Sequence, residues 1–231
     1  MVVKPGKNKF TKPRFTIVIP AYNEAERIKP TLEALTKEFG KQAEIIVVDD
    51  GSADNTSEIA SEYGVEIIRH KANKGKGAAV KTGFKHARGK TVGFVDADNS
   101  ATPPDIRKVL EKAEETGAAV GVRKKTNKRN KLRALFSTIF KKLASLLSDI
   151  DVEDTQCGCK AFNNQTIKKI LANINCDGWI FDVVILKLLK KEGVKVAQVQ
   201  ISWIDMKGSK LNPLRDGANM LCSLIKMRAQ K

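Results

Sequence analysis

The sequence predicts an α/β fold: a single domain built on a doubly wound, mostly parallel β-sheet. Short runs rich in Val, Ile and Phe, typical of buried strands, alternate with segments whose apolar residues recur at helical spacing. Polar clusters follow several of these runs directly. Such alternation favours parallel strands joined by crossover helices, and ligands bind these sheets beyond the carboxyl ends of the strands.

The individual elements follow from the same patterns. The runs that predict strands are residues 15–20, 44–48, 65–68, 91–95, 118–122 and 194–201. The first helix carries an apolar stripe of Ile28, Leu32, Leu35 and Phe39. Further helices are predicted at residues 56–63, from residues 73–77 through residue 85, from Pro103 onward, and at residues 180–189.

Composition narrows the classes of protein. The 231 residues are 42% hydrophobic and 29% charged, as in soluble globular proteins, and no apolar run approaches the ~18 residues of a membrane span. The basic amino terminus has no apolar segment behind it, so we do not expect a secretory signal. Four cysteines in a chain of this length do not predict a disulfide scaffold, so we expect a reducing cytoplasm. Cys157 and Cys159 are expected to be core thiols rather than metal ligands, because neither histidine has the spacing of a zinc ligand. The net charge of +16 predicts an anionic partner: nucleic acid, a phospholipid surface or a phosphorylated substrate.

Asp96 and Asp98 stand where the strand at residues 91–95 ends. Two carboxylates so close together need partners, and a divalent cation is the natural one, although a solvated turn would also accept these residues. Three further polar clusters, at residues 22–24, 49–52 and 74–76, should reach the same edge of the sheet. Together they favour a site for a nucleotide and a metal ion. The sequence has no P-loop, and no Gly-x-Gly-x-x-Gly motif follows the first strand, which argues against an ATPase or a dehydrogenase.

These clusters belong to a longer series of motifs. The series comprises residues 19–24, 47–52, 73–77, 96–98, 154–160, 179–182, Trp203 and residues 208–210. In order and spacing it resembles the inverting family 2 glycosyltransferases of GT-A fold, and among them the dolichyl-phosphate mannose and glucose synthases. The resemblance covers about residues 14–212.

The resemblance implies roles for particular residues. Nucleotide-binding residues would be Pro20, Ala21, Tyr22, Glu24, Asp49, Asp50, Gly51, Lys76, Asp96 and Ala97. Asp96, Asp98 and Ser100 would bind the metal ion, and Asp98, Asp154 and Arg123 would be catalytic. The acceptor and its phosphate would contact Arg123, Lys160, Trp203, Ser209 and Lys210. Trp203 could equally be an anchor of the core.

The implied reaction is inverting transfer of a hexose, dependent on Mg²⁺ or Mn²⁺. GDP-mannose or UDP-glucose would be the donor and a polyprenyl (dolichyl) phosphate the acceptor, at the cytoplasmic face of a membrane. A soluble sugar or protein acceptor on the same fold is the alternative, and paired aspartates would also serve a nucleotidyltransferase. A nucleic-acid-binding module is disfavoured, because aromatic residues make up only 6% of the chain and no stacking motif interleaves its basic stretch. The oligomeric state stays open.

Two amphipathic segments bear on membrane binding. Residues 132–148 carry an apolar stripe within a basic stretch, which predicts either an interfacial helix on an anionic membrane surface or a helix packed on the sheet. Residues 213–231 predict a second amphipathic helix, after a domain at residues 14–212 and a disordered basic arm at residues 1–13. We expect a peripheral protein on the inner face of a membrane, without a transmembrane segment.

Overall fold

The computed structural model describes residues 2–4, 13–124, 150–174, 176, 178, 180–204 and 206. Within them the strands form one eight-stranded sheet in the order β1-β4-β3-β2-β5-β7-β6-β8. The strands are β1 (Val2–Lys4), β2 (Phe15–Ala21), β3 (Ala43–Asp49), β4 (Glu66–Arg69), β5 (Thr91–Val95), β6 (Ala118–Arg123), β7 (Cys159–Asn163) and β8 (Val196–Ile201).

The helices that connect these strands cover both faces of the sheet. They are α1 (Ala25–Phe39), α2 (Thr56–Ser61), α3 (Lys76–His86), α4 (Pro103–Thr116), α5 (Asn164–Ile170) and α6 (Phe181–Lys191). Alternate residues of one strand face opposite layers: Ile17 and Ile19 pack with α1, α2 and α4, whereas Val18 packs with α3, α5 and α6. Burial on both faces explains why the central strands are almost continuously apolar.

The parallel part of the sheet brings three strand ends together. β2 pairs in parallel with β3 and β5, and β3 pairs in parallel with β4. Ala21 therefore lies beside Asp49, and the turn after β5 opens at the same edge. The predicted α/β class with a mostly parallel sheet is confirmed.

The structure adds elements that the sequence patterns miss. β7 runs antiparallel between β5 and β6, and α5 follows it directly. The apolar period of β7 is interrupted by Lys160, which is why residues 159–163 give no strand signal. Within the arm at residues 1–13, for which the sequence predicts disorder, Val2–Lys4 pair antiparallel with β4.

Several expectations concern residues outside those described. They are the amphipathic segments at residues 132–148 and 213–231, together with Trp179, Ser209 and Lys210. Across the described part of the chain, no helix is both long and apolar enough to cross a membrane.

Candidate active site

Asp49 ends β3 and organises the turn that follows. Its side chain is fully buried; Oδ1 accepts the backbone N–H of Ser52 at 2.8 Å, and Oδ2 accepts the hydroxyl of Ser57. Nε of Arg69 lies 3.4 Å from Oδ2. Both carboxylate oxygens of Asp49 thus bind groups of the protein. The contact with a nucleobase that the resemblance implies stays a prediction.

Asp50 fastens the loop before α3 to this turn. Its Oδ1 lies 2.6 Å from Nδ1 of His70, and its Oδ2 accepts the N–H of Gly75 at 2.7 Å. The N–H of Lys74 bonds to both oxygens. Gly51 permits the approach, because its φ is +77° and a Cβ there would lie 2.7 Å from the backbone carbon of Ala72. Asp50, at 3% exposure, thereby fixes where α3 begins and where Lys76 points.

The loop after β2 lies beside the turn after β3 at the carboxyl edge of the sheet. The N–H of Asn23 donates to Ser52 Oγ at 2.9 Å, and the N–H of Glu24 donates to Thr56 Oγ1 at 2.8 Å. The carboxylate of Glu24 binds Arg27 in a bidentate manner at 2.8 and 2.7 Å. Tyr22 stands at this edge with 39% of its surface exposed, which suits it to cover a planar base. Pro20 and Ala21 complete the end of β2.

The paired aspartates follow β5 as predicted. Oδ1 of Asp96 accepts a hydrogen bond from the ammonium of Lys76 at 2.6 Å, and Oδ1 of Asp98 accepts the N–H of Ser100 at 3.1 Å. Asn99, which lies between Asp98 and Ser100, has a φ of +57°, a left-handed conformation that Asn tolerates well. The turn thus carries two partly exposed carboxylates at the carboxyl end of β5.

Two buried contacts hold this turn in place. The hydroxyl of Thr31, on α1, donates to the carbonyl of Ala97 at 2.8 Å, and Thr31 is 2% exposed. On the other side, a Cβ at Gly158 would lie 1.8 Å from Asp96 Oδ2, so only glycine fits. Neither residue carries a signal in the sequence patterns, because each contact joins segments more than sixty residues apart.

The carboxylates of Asp96 and Asp98 fit a divalent cation whose remaining ligands are phosphate oxygens of a substrate. Among the described residues, no three side chains of His, Cys, Asp or Glu cluster as a metal cage. Mg²⁺ is commonly held by one or two carboxylates plus substrate phosphates, and Asp96 and Asp98 provide two partly exposed carboxylates. Ser100 is 2% exposed, and its carbonyl accepts the N–H of Ile204 at 2.9 Å.

Arg123 and Asp154, both predicted to be catalytic, bind each other. Nε and Nη2 of Arg123 donate to the two oxygens of Asp154 at 2.6 and 2.9 Å, and Asp154 is 1% exposed. Burial alone would lower the pKa of Arg123, but the hydrogen bonds and charge of Asp154 hold this pKa above its usual range. The guanidinium lies 5.2 Å from the ring centroid of Trp203.

Trp203 joins this pair to the turn that carries the aspartates. It forms a β-bridge with Ala101 and packs at the border of the core. The two readings of Trp203 as core anchor and site wall are therefore compatible, since the ring is half-buried and contacts the Arg123 guanidinium.

Lys160 occupies a different place from the one expected. Its ammonium is fully buried, 2.5 Å from Oδ1 of Asp182 and 2.6 Å from the carbonyl of Cys157. The contact with the acceptor phosphate that the resemblance implies stays a prediction; here the ammonium is enclosed, and Asp182 neutralises its charge. Asp182 ends the motif at residues 179–182 and lies in the first turn of α6, but nothing in the sequence indicates that it pairs with Lys160.

The cysteines match the prediction of core thiols. Cys157 and Cys159 are buried and not joined in a disulfide, and burial raises the pKa of Cys157 to about 11. Both thiols are therefore protonated and unreactive near neutral pH.

An α/β sheet with a pair of carboxylates and the start of a helix at the carboxyl edge of its parallel strands is the arrangement in which such folds bind their ligands. Residues 16–171 match the family Glycosyl transferase family 2. The dolichyl-phosphate beta-glucosyltransferase of Saccharomyces cerevisiae is 33% identical over 92% of this chain and 73% of its own length. The human protein of the same name is 29% identical over 93% of this chain and 75% of its own. The chain belongs to glycosyl transferase family 2.

Solved structures support the fold. Glucosyl-3-phosphoglycerate synthase from Mycobacterium tuberculosis, in complex with UDP, has a TM-score of 0.75 and 18% identity, and the match covers 94% of this chain and 80% of that one. The same enzyme with Mn²⁺, UDP and its product has a TM-score of 0.72. The predicted GT-A fold is confirmed.

Proposed function

We propose that this protein transfers glucose from UDP-glucose to a polyprenyl phosphate with inversion at the sugar carbon. The observation that carries the proposal is the similarity to dolichyl-phosphate beta-glucosyltransferases over more than nine-tenths of the chain. UDP rather than GDP is favoured, because the neighbours of like fold bind UDP. Glucose is accordingly favoured over the mannose that the sequence leaves open.

The leaving group determines what the site must do. As the bond from sugar to phosphate breaks, the nucleoside diphosphate gains negative charge. A divalent cation, Mg²⁺ or Mn²⁺, would be held by Asp96 and Asp98 and would stabilise that charge. Lys76 at the start of α3 would contribute a further positive charge, and the ring of Tyr22 would cover the base.

The acceptor needs positioning more than activation. A phosphate monoester has a second pKa near ~6, so it is largely a dianion at neutral pH and is itself a competent nucleophile. Asp154 is unsuited to be a general base, since both its oxygens bind Arg123. We assign it the role of holding Arg123, whose charge would offset the repulsion between two anionic substrates beside Trp203. Ser209 and Lys210 remain candidates for the acceptor phosphate.

Access to a lipid-linked acceptor would come from the basic surface. The net charge of +16 and the basic stretch at residues 123–142 would attract an anionic membrane surface, with residues 132–148 and 213–231 as its contacts. The protein would then act peripherally on the cytoplasmic face. Flotation with anionic vesicles at moderate salt tests this, and a protein that stays at the bottom of the gradient contradicts it.

A transfer assay tests the reaction. Purified protein, Mn²⁺ or Mg²⁺ and a polyprenyl phosphate in detergent are incubated with radiolabelled UDP-glucose or GDP-mannose in parallel. We expect label in the organic phase from UDP-glucose, its loss in Asp98→Asn, and no loss in the control Glu115→Gln, an exposed residue of α4. Label in the organic phase from GDP-mannose but not from UDP-glucose would refute UDP-glucose as the donor.

A soluble phosphorylated acceptor is the second candidate. It is favoured by the neighbours of like fold, which are named for glucosyl transfer to 3-phosphoglycerate. In this case, when 3-phosphoglycerate replaces the lipid, label should move from UDP-glucose to a new water-soluble product that anion-exchange chromatography separates from the donor.

A further inference from the structure

The contact between Lys76 and Asp96 joins two parts of the candidate site. The ammonium of Lys76 lies 2.6 Å from Asp96 Oδ1 and 5.3 Å from the ring centroid of Phe94. The side chains of Lys76 and Asp96 are 14% and 30% exposed, so this is a partly enclosed, charge-assisted hydrogen bond. Asp50 fixes the loop before α3 through the backbone of Gly75, which aims Lys76 at Asp96.

The other oxygen of Asp96 has little room. Oδ2 faces Gly158, where a Cβ would lie only 1.8 Å away. A divalent cation shared with Asp98 must therefore use a carboxylate that already carries an ammonium. Two cations on one carboxylate repel each other strongly where water is partly excluded. The metal ion and Lys76 consequently compete for Asp96.

An ammonium displaced from Asp96 is stabilised by a new anion within its reach. Asp182 lies deeper in the same region, but its Oδ1 is 2.5 Å from the ammonium of Lys160, and its side chain is 2% exposed. Its charge is thus already balanced. The diphosphate of the donor would bring new negative charge to the start of α3, within reach of the long lysine side chain.

We propose that Lys76 is a tethered cation that occupies Asp96 until the donor diphosphate arrives and then moves to the diphosphate. The inference rests on the proposed function, which brings a nucleotide-sugar to this edge. The metal ion alone binds weakly because it must displace Lys76. Metal ion and donor together bind tightly, because the diphosphate accepts the ammonium that the metal ion displaces. The two ligands therefore reinforce each other through one side chain.

Calorimetric titration of Mn²⁺ with and without UDP tests this coupling. Without UDP, Lys76→Met should bind Mn²⁺ about tenfold more tightly than the wild type, and the gain in affinity that UDP gives should shrink by about the same factor. Lys76→Gln should behave like Lys76→Met, whereas Lys76→Arg keeps a cation and should retain weak binding of the metal alone. Lys71→Met is the matched control, an exposed lysine that precedes the motif at residues 73–77, and should leave both affinities unchanged.

The outcomes separate this inference from the proposed function. Unchanged or weaker Mn²⁺ binding without UDP, in variants whose circular dichroism and Tm match the wild type, overturns the inference. A wild type that binds no Mn²⁺ even with UDP overturns both the inference and the proposed donor. The predicted coupling in a protein that glucosylates no lipid leaves the inference standing and refutes the acceptor alone.

Discussion

The buried pair of Lys160 and Asp182 gives a quantitative prediction about stability. The two side chains are 0% and 2% exposed and their charged atoms are 2.5 Å apart, so water screens neither charge. Removing one partner leaves the other charge buried without its counterion, which costs about 3–5 kcal/mol. Replacing both by apolar residues of similar volume is close to neutral. Lys160→Met and Asp182→Leu should each destabilise the fold strongly, and the double variant should regain most of the loss.

Thermal or urea unfolding measures these effects. For a chain of this size about 1 kcal/mol lowers Tm by roughly 2–4 °C, so each single variant should melt roughly 6–20 °C below the wild type. Lys169→Met is the matched control: the Lys169 side chain is 69% exposed and its ammonium pairs with Glu192, so its loss should leave Tm nearly unchanged. Equal Tm values for the single variants and the wild type, or single costs that simply add in the double variant, would refute the reasoning.

The same variants separate the buried role from the role the resemblance implies. If Lys160 serves only Asp182, the double variant should keep the wild-type KM for the acceptor at a temperature where it is folded. A raised acceptor KM with an unchanged donor KM would instead indicate contact with the acceptor phosphate.

Three further predictions concern the turn at Asp96 and the core thiols. Gly158→Ala forces Asp96 aside and should lower Mn²⁺ affinity in the presence of UDP by at least about tenfold, and wild-type affinity by calorimetry would contradict this. Thr31→Val leaves the Ala97 carbonyl without its donor, at a cost of about 1–3 kcal/mol in urea unfolding, whereas Thr31→Ser should stay near the wild type. Burial raises the pKa of Cys157 to about 11, so stability should be intact below the unfolded pKa near ~8.5 and fall as pH rises toward 11. Titrating the unfolding free energy against pH checks the sign; a rise over this range would contradict it.

What the sequence predicts well is local. The strand Thr91–Val95 has the predicted bounds, because an uninterrupted apolar run followed by two aspartates is a strong signal for a buried strand that ends at a site. The helix α1 likewise buries the predicted stripe, including Ile28 and Leu35. Binding residues at the ends of parallel strands follow from topology, since these ends meet at one edge.

What the sequence leaves out is pairing over long distances. Arg123 and Asp154 each look like a free catalytic group in the sequence, yet the structure joins them across thirty-one positions. Lys160 breaks the apolar period of β7, and its charge is balanced by Asp182 on α6. Hydrophobic periodicity carries no information about ion pairs between distant residues. These charged side chains are therefore expected to contact substrates, whereas in the structure they bind each other.

The central claim is that glucose moves from UDP-glucose to a phosphate carried on a lipid. A single reaction containing UDP-glucose, Mn²⁺, a polyprenyl phosphate and 3-phosphoglycerate in equal amounts tests it directly, with both acceptors followed by mass spectrometry. We predict that the mass of one hexose is added to the polyprenyl phosphate, with UDP released in equal amount and neither event in Asp98→Asn. A hexose found on 3-phosphoglycerate while the lipid stays unmodified would contradict the account.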